Sequence, residues 1–348
     1  MKKNIISRRN FLQNTALTAG MTAIAPIAIA SDLSLTKENK NKSSHEVWIA
    51  GVSMMGLGAL RSESYEKVVE KMTDILSNAL VYDLDFVCLP EIFPYAFNHH
   101  GLSLSEMLEG SNKVLGQFSE FSKQNSCYTV CPVYTSSEGR VYNSAVVFDR
   151  TGKKIGQYDK IHETVEEIAK GVTCGALFQP VIQTEFGPIG IQICYDINFE
   201  DGWKMLREQG AKIIFWPSAF DGGKQINMKA LQNKCILVSS TWKNVSKACD
   251  ISGETFAQTG IWEPNLYCAP INMEKVFLPA FDYLKECEDM KKKYGGKVKI
   301  TIFHEEEWTI VEAVSPDIFI KDIIKEYNLV PHYQGIREAE IIQSKSRV

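Results

Sequence analysis

The sequence predicts an α/β fold built on mixed sheets, and three observations lead there. Short apolar runs of strand length alternate with segments whose apolar residues recur at helical spacing. Several strand candidates follow one another directly, as hairpins do, which a purely parallel sheet does not allow. The chain has 348 residues, 45% of them hydrophobic, enough for a large core without disulfide or metal staples. That apolar content, with 23% charged residues, excludes a disordered chain. A formal net charge of −4 lacks the basic footprint of a nucleic-acid binder.

In chain order, the first thirty residues are an address. Lys2, Lys3, Arg8 and Arg9 head an uncharged stretch from Thr15 to Ile29. Ala28-Ile29-Ala30 closes it with the small-residue spacing of a signal-peptidase site. Arg8-Arg9 followed by Phe11-Leu12 resembles a twin-arginine export signal, the route for proteins that fold before crossing the membrane. Thr15, Thr18, Gly20, Thr22 and Pro26 dilute a stretch already short for a membrane anchor. Cleavage near Ala30 and release to the periplasm are expected, with the membrane met only during export. Removal leaves 34 Lys+Arg against 42 Asp+Glu, a net charge near −8. Residues 31–45 are polar, without periodicity, and read as a disordered lead-in.

The body opens with an apolar strand at 47–54. A helix follows at 64–80, with Val68, Val69, Met72, Ile75, Leu76, Ala79 and Leu80 on one face. A second strand at 85–89 precedes a helix at 114–125. Strands at 128–134 and 142–148 lead to the turn Asp149-Arg150-Thr151-Gly152. Further strands fit 180–184, 189–194, 213–216 and 236–241, with helices at 202–209 and 225–233. The tail offers a charged helix at 282–294, strands at 298–303 and 309–314, and a last helix at 318–327. Residues 46–275 read as one domain and 276–348 as an extension packed on it.

Chemistry has three candidate places. A buried strand starting at Gly187 delivers Cys194 near its carboxyl end, where α/β sheets bind ligands. A nucleophilic thiolate needs a base or cation nearby, because a free thiol titrates near about 8.5. Most buried cysteines are small core hydrophobes, the reading kept for Cys88, Cys127, Cys131, Cys174, Cys235, Cys249, Cys268 and Cys287. Glu91 ends another buried strand; shielded by Phe93, Tyr95 and Phe97, its carboxylate would suit a general base, the alternative being a loop carboxylate that caps the next helix. Lys160, in Gln157-Tyr158-Asp159-Lys160-Ile161-His162, projects into the same cleft or is a solvated surface lysine. His99-His100 reads as surface or pocket lining, since adjacent loop side chains rarely converge on one ion. His-Glu-x-x-His, Cys-x-x-Cys, Gly-x-Ser-x-Gly and Walker-type elements are absent from the sequence.

Together, Leu89-Pro90-Glu91, Asp159-Lys160-Ile161-His162 and Cys194-Tyr195-Asp196 resemble, in order and approximate spacing, the nitrilase superfamily of carbon–nitrogen hydrolases. The likeness runs from about residue 47 to 260 and includes Trp216-Pro217-Ser218-Ala219, Ala230, Asn233 and the Asp250, Gly253, Thr259, Gly260 turn. It implies an α-β-β-α sandwich that usually forms a homodimer or larger homo-oligomer and needs no metal or organic cofactor. It also implies that Cys194 is the nucleophile and Glu91 the base. Lys160 and the backbone N–H of Tyr195 then hold the oxyanion, and Asn198 and Trp216 fall on the substrate side. A second glutamate follows the lysine in this family. Glu163, Glu166 and Glu167 are available, and Glu167 fits best although Glu166 stands where one subgroup has glycine. Many members read Cys-Tyr-Asp-x-Arg-Phe-Pro-Glu, whereas this chain has Asn198, Phe199, Glu200 and Asp201, which leaves the subgroup open. The expected activity is an exported thiol hydrolase cutting a non-peptide C–N bond of a small amide or N-carbamoyl compound. Nitrile hydrolysis and a silent ligand-binding protein are the alternatives. Pairing Cys194 with His162 would leave Glu91 and Lys160 unexplained.

Overall fold

Strand and helix periods in the sequence sort the chain into layers, as a computed structural model of the protein shows for residues 45–97 and 101–347. The export signal, the lead-in up to residue 44 and His99-His100 lie outside these described residues. The elements run β1 (Glu46–Val52), α1 (Tyr65–Ser77), β2 (Phe86–Cys88), α2 (Leu104–Asn125), β3 (Tyr128–Ser137), β4 (Arg140–Phe148), β5 (Lys154–Asp159) and α3 (Val165–Ala169). They continue with β6 (Ile182–Thr184), β7 (Gly187–Ile191), α4 (Asp201–Glu208), β8 (Ile213–Ser218), α5 (Lys224–Asn233), β9 (Ile236–Thr241), β10 (Lys247–Cys249), β11 (Thr255–Gln258) and β12 (Leu266–Asn272). A last group follows: β13 (Lys275–Pro279), α6 (Leu284–Tyr294), β14 (Val298–Phe303), β15 (Trp308–Ala313), α7 (Ile320–Glu326) and α8 (His332–Ser346).

Two six-stranded sheets form, in the orders β12-β1-β2-β3-β4-β5 and β11-β10-β9-β8-β7-β6. Each has three central strands in parallel, β1-β2-β3 in one and β7-β8-β9 in the other, flanked by antiparallel neighbours. Val47, Ile49, Phe86, Val130, Ala145 and Val147 of the first sheet meet Ile189, Ile191, Ile213, Phe215, Ile236 and Val238 of the second in one central core. The alternate residues face outward. Ala50, Val52, Val87 and Val133 pack on Val68, Met72 and Leu76 of α1 and Val114 and Phe118 of α2. On the far side Ile214, Trp216 and Leu237 pack on Trp203 and Leu206 of α4 and Ile226 and Ala230 of α5. The result is the α-β-β-α sandwich with mixed sheets that the sequence implied.

Three boundaries differ from the sequence reading. α2 begins about ten residues earlier than its apolar pattern suggests, because Ser103 and Glu106 form a reciprocal capping box there. β7 stops at Ile191, so Cys194 opens a short 3-10 turn rather than ending the strand. The helix expected at 318–327 is α7 and is not the last; α8 follows it without one buried residue, so it carried no amphipathic signal. The order β13-β15-β14 makes a separate three-stranded sheet, whose Val276, Leu278, Val298 and Val311 pack on Cys287, Met290 and Ile323. Phe277 and Ile310 of this small sheet join the central core. Among the described residues no helix is long and apolar enough to cross a membrane.

Candidate active site

The turns leaving β2, β5 and β7 meet at a cavity of about 500 Å³ lined by Glu91, Lys160 and Cys194, with Ile92, Leu104, Met107, Tyr134, Ala219 and Trp242 as walls. Glu91 follows β2 and is 2% exposed. Its carbonyl accepts the indole N–H of Trp242, and its Oε1 accepts from Lys160 Nζ at 2.9 Å and Asn143 Nδ2 at 2.8 Å. Lys160 is 1% exposed and its backbone is fixed on both sides. Its N–H donates to the Asn143 carbonyl at 2.9 Å and its carbonyl accepts from Gly175 at 2.7 Å.

Beyond Glu91, the Lys160 ammonium reaches both oxygens of Glu167, at 2.9 and 2.8 Å, and lies 3.6 Å from Glu163. Burial disfavours its charge, but the charges of Glu91, first, and Glu167 hold its pKa well above the usual lysine range. Lys160 is therefore a charged ammonium. Glu167 comes from α3, where Thr164 and Glu167 form a second capping box: Thr164 N–H donates to Oε2 at 2.7 Å and Glu167 N–H to Oγ1 at 3.3 Å. Burial works against its ionisation, yet Lys160, a hydrogen bond with Glu163 and the Thr164 N–H keep its pKa below the ordinary carboxylate value. Asn143 Nδ2 also reaches Glu167, at 3.3 Å, so one amide bridges the two carboxylates.

Cys194 is 8% exposed and takes a left-handed φ of 45° at the start of its turn. Asp196 holds that turn, accepting from Ile193 N–H at 2.8 Å, His162 N–H at 2.8 Å and Tyr158 Oη–H at 2.8 Å, with His162 Nδ1 at 3.1 Å. The first N–H groups of a helical turn have no partner within it, and here those groups follow the sulfur. Burial, then the charge of Glu91, push the Cys194 thiol up, against Lys160, the Ala219 N–H and the Ser218 hydroxyl. The resting sulfur is a thiol, so attack requires a proton acceptor beside it. A carboxylate, an ammonium and a thiol lining one cavity can accept that proton and steady a developing oxyanion.

Glu91, Lys160, Glu167 and Cys194 are thus brought together, while two other expected residues are not. Trp216 is wholly buried behind the turn, packed among the α4 and α5 residues, and its indole N–H donates to the Cys194 carbonyl at 3.2 Å. It does not line the cavity. Asn198 is exposed outside the cavity and spends its amide on the Tyr195 carbonyl at 3.1 Å. The Tyr195 side chain is exposed as well and lies off the cavity wall. All nine cysteines are unpaired; Cys174 is exposed and Cys268 half-buried, which corrects the core reading for those two. Burial pushes the thiols of Cys88 and Cys235 up to about 12. Asn143 and Trp242 escaped the sequence reading, although a lone Asn inside the apolar run of β4 is a strand-depleted residue that asks for a reason. Among the described residues no three His, Cys, Asp or Glu side chains cluster to hold a metal ion.

Similarity to known proteins places the chain in a family. Residues 50–277 match the carbon-nitrogen hydrolase family, well over half of the chain, and the protein belongs to this nitrilase-superfamily group. It is 26% identical over 211 residues to the nitrilase and fragile histidine triad fusion protein NitFhit of Drosophila melanogaster, covering 55% of this chain and 45% of that one. The chain thus spans under half the length of that relative. It is 27% identical over 234 residues to the deaminated glutathione amidase of Escherichia coli O157:H7, covering 61% of this chain and 87% of the amidase. A crystal structure of a carbon-nitrogen hydrolase from Helicobacter pylori G27 shares the fold with a TM-score of 0.58 at 19% identity, over 72% of this chain and 94% of that one.

Proposed function

We propose that this protein is a thiol amidase that cleaves the C–N bond of a small linear amide or N-carbamoyl compound. The observation that carries the reading is the Lys160 ammonium held between Glu91 at 2.9 Å and Glu167 at 2.8 Å in the cavity that Cys194 lines. Glu91 accepts the Sγ proton as sulfur attacks the carbonyl carbon. Lys160 and the Tyr195 N–H stabilise the oxyanion. Glu91 then protonates the leaving nitrogen, the C–N bond breaks, and a thioester remains on Cys194. Water, losing its proton to Glu91, hydrolyses the thioester to the acid and restores the thiol. Glu167, with Asn143, orients the lysine rather than exchanging protons. The apolar walls suit a short acyl body, and the amidase named among the relatives supports amide over nitrile.

The reading extends to export by the twin-arginine-type signal, cleaved near Ala30, and to a homodimer or larger homo-oligomer. Cell fractionation with amino-terminal sequencing of the product tests the first; light scattering of the purified chain tests the second. The central test is ammonia release from a panel of aliphatic amides, N-carbamoyl amino acids and nitriles, read beside carbon dioxide release. Turnover of amides or carbamoyl compounds by the parent, and none by Cys194→Ala, is the expected result. Turnover that survives Cys194→Ala would overturn the mechanism.

A further inference from the structure

Glu163 takes no part in those steps, yet it sits three residues past Lys160 with its carboxyl sealed from solvent. One oxygen is 3.6 Å from Lys160 Nζ, no amide, hydroxyl or ammonium donates to either oxygen, and the carboxyl pairs with that of Glu167, a contact that is a hydrogen bond only if one of the two is protonated. It does not line the cavity, so it reaches substrate only through the lysine. A buried ionised carboxylate without donors is strongly disfavoured. The surrounding charge points the same way. Lys160 already carries Glu91 and Glu167, so the cluster holds two carboxylates on one ammonium before Glu163 is counted. Tyr134 of β3 adds no charge: burial, then Glu167 and Glu91, keep its phenol neutral. His162, next in sequence, is committed to Asp196 at 3.1 Å and Asp201 at 3.3 Å. Burial, the charge of Glu167, the hydrogen bond shared with it and the charge of Glu91 push Glu163 up to about 10 despite Lys160.

We propose that Glu163 works as a protonated carboxylic acid behind Lys160, a positioning residue that fills one side of the ammonium without neutralising the charge offered to the oxyanion. An ionised carboxylate there would compete with the oxyanion for the same charge. An apolar side chain would leave that side of Nζ without a polar neighbour. The proposal rests on the oxyanion role given to Lys160 above.

The experiment compares the full chain with Glu163→Gln and Glu163→Leu in thermal unfolding, in amide turnover and in iodoacetamide alkylation of Cys194, from about pH 6 to about pH 11. At neutral pH, Glu163→Gln should alkylate and turn over within about threefold of the parent, because an amide mimics the neutral acid. Above about pH 10 the parent should lose turnover and alkylate more slowly than Glu163→Gln, since only the parent can ionise there. Glu163→Leu should lose kcat about tenfold or more with KM little changed. Alkylation about tenfold faster in Glu163→Gln at neutral pH would reveal an ionised Glu163 and overturn the proposal. Superimposable pH profiles, or an unchanged kcat in Glu163→Leu, would overturn it too. If Glu163→Leu does not fold, Glu163→Gln decides alone. Alkylation needs no substrate, so failure of the amidase reading would show as missing turnover while the charge at Glu163 was still read.

Discussion

Lys160 meets three carboxyl groups with one charge, and Asn143 is the residue that keeps two of them in place. Its amide donates to Glu91 at 2.8 Å and to Glu167 at 3.3 Å. Asn143→Ala leaves Glu91 to the lysine and Glu167 to the lysine and the Thr164 N–H. It should lower kcat about 10- to 100-fold with KM nearly unchanged, and cost about 1–3 kcal/mol of stability. Steady-state kinetics and thermal unfolding check both; an effect confined to KM would mean that Asn143 serves substrate binding instead. Glu91→Gln and Lys160→Ala should each cost about three or more orders of magnitude in kcat/KM, and full activity in either would end the assigned role. The residues that motifs in fixed order mark were legible: Glu91, Lys160 and Cys194 share one cavity. Trp216 was misplaced for want of a parity argument. Side chains on a strand alternate, so once Phe215 faces the sheet–sheet core, Trp216 must face the helices.

The segment between β5 and β6 carries Lys160, Glu163 and Glu167, three of the four acidic and basic side chains of the cluster, and Gly175 ties that segment down. A Cβ on Gly175 would lie 2.2 Å from the Asp159 carbonyl oxygen, a backbone atom with nowhere to go. Gly175→Ala should therefore push the main chain at Asp159 and Lys160 outward. A shift of this size should lower kcat about 100-fold, with about 1–3 kcal/mol lost in stability. Kinetics together with Cys194 alkylation test this; unchanged kcat would show that the Lys160 position tolerates the push. α1 could be read in sequence because tertiary burial uses the same face that its period marks, and β8 and β9 because their short continuous runs are buried on both faces. β10 and β11 are short, and β11 is largely exposed, so no burial signal marked them. The early start of α2 lay in its cap, not in its apolar stripe.

Over the whole molecule, the family match ends at residue 277, in the middle of β13. The packing does not end there. β13 pairs along its length with β15, from Lys275 opposite Glu312 to Pro279 opposite Trp308. Phe277 and Ile310 enter the central core, and Val276, Leu278, Cys287, Met290, Val298, Val311, Ile323 and Leu329 form a second core behind them. The Lys234 ammonium, just past α5, lies 3.9 Å from the Phe277 ring centre and 4.5 Å from that of Trp308, joining the sandwich to the added sheet. A chain ending at Pro279 keeps the family region and loses the β15 pairing of β13 and most of that second core. Each fully buried aliphatic side chain contributes about 1.5–3 kcal/mol, against a net stability of about 5–15 kcal/mol for a typical domain. The truncated chain should therefore lose cooperative thermal unfolding and expose apolar surface to a hydrophobic dye, whereas the full chain unfolds cooperatively. A truncated chain with a cooperative transition near that of the full chain would instead make residues 280–347 an appendage that the sandwich does not need.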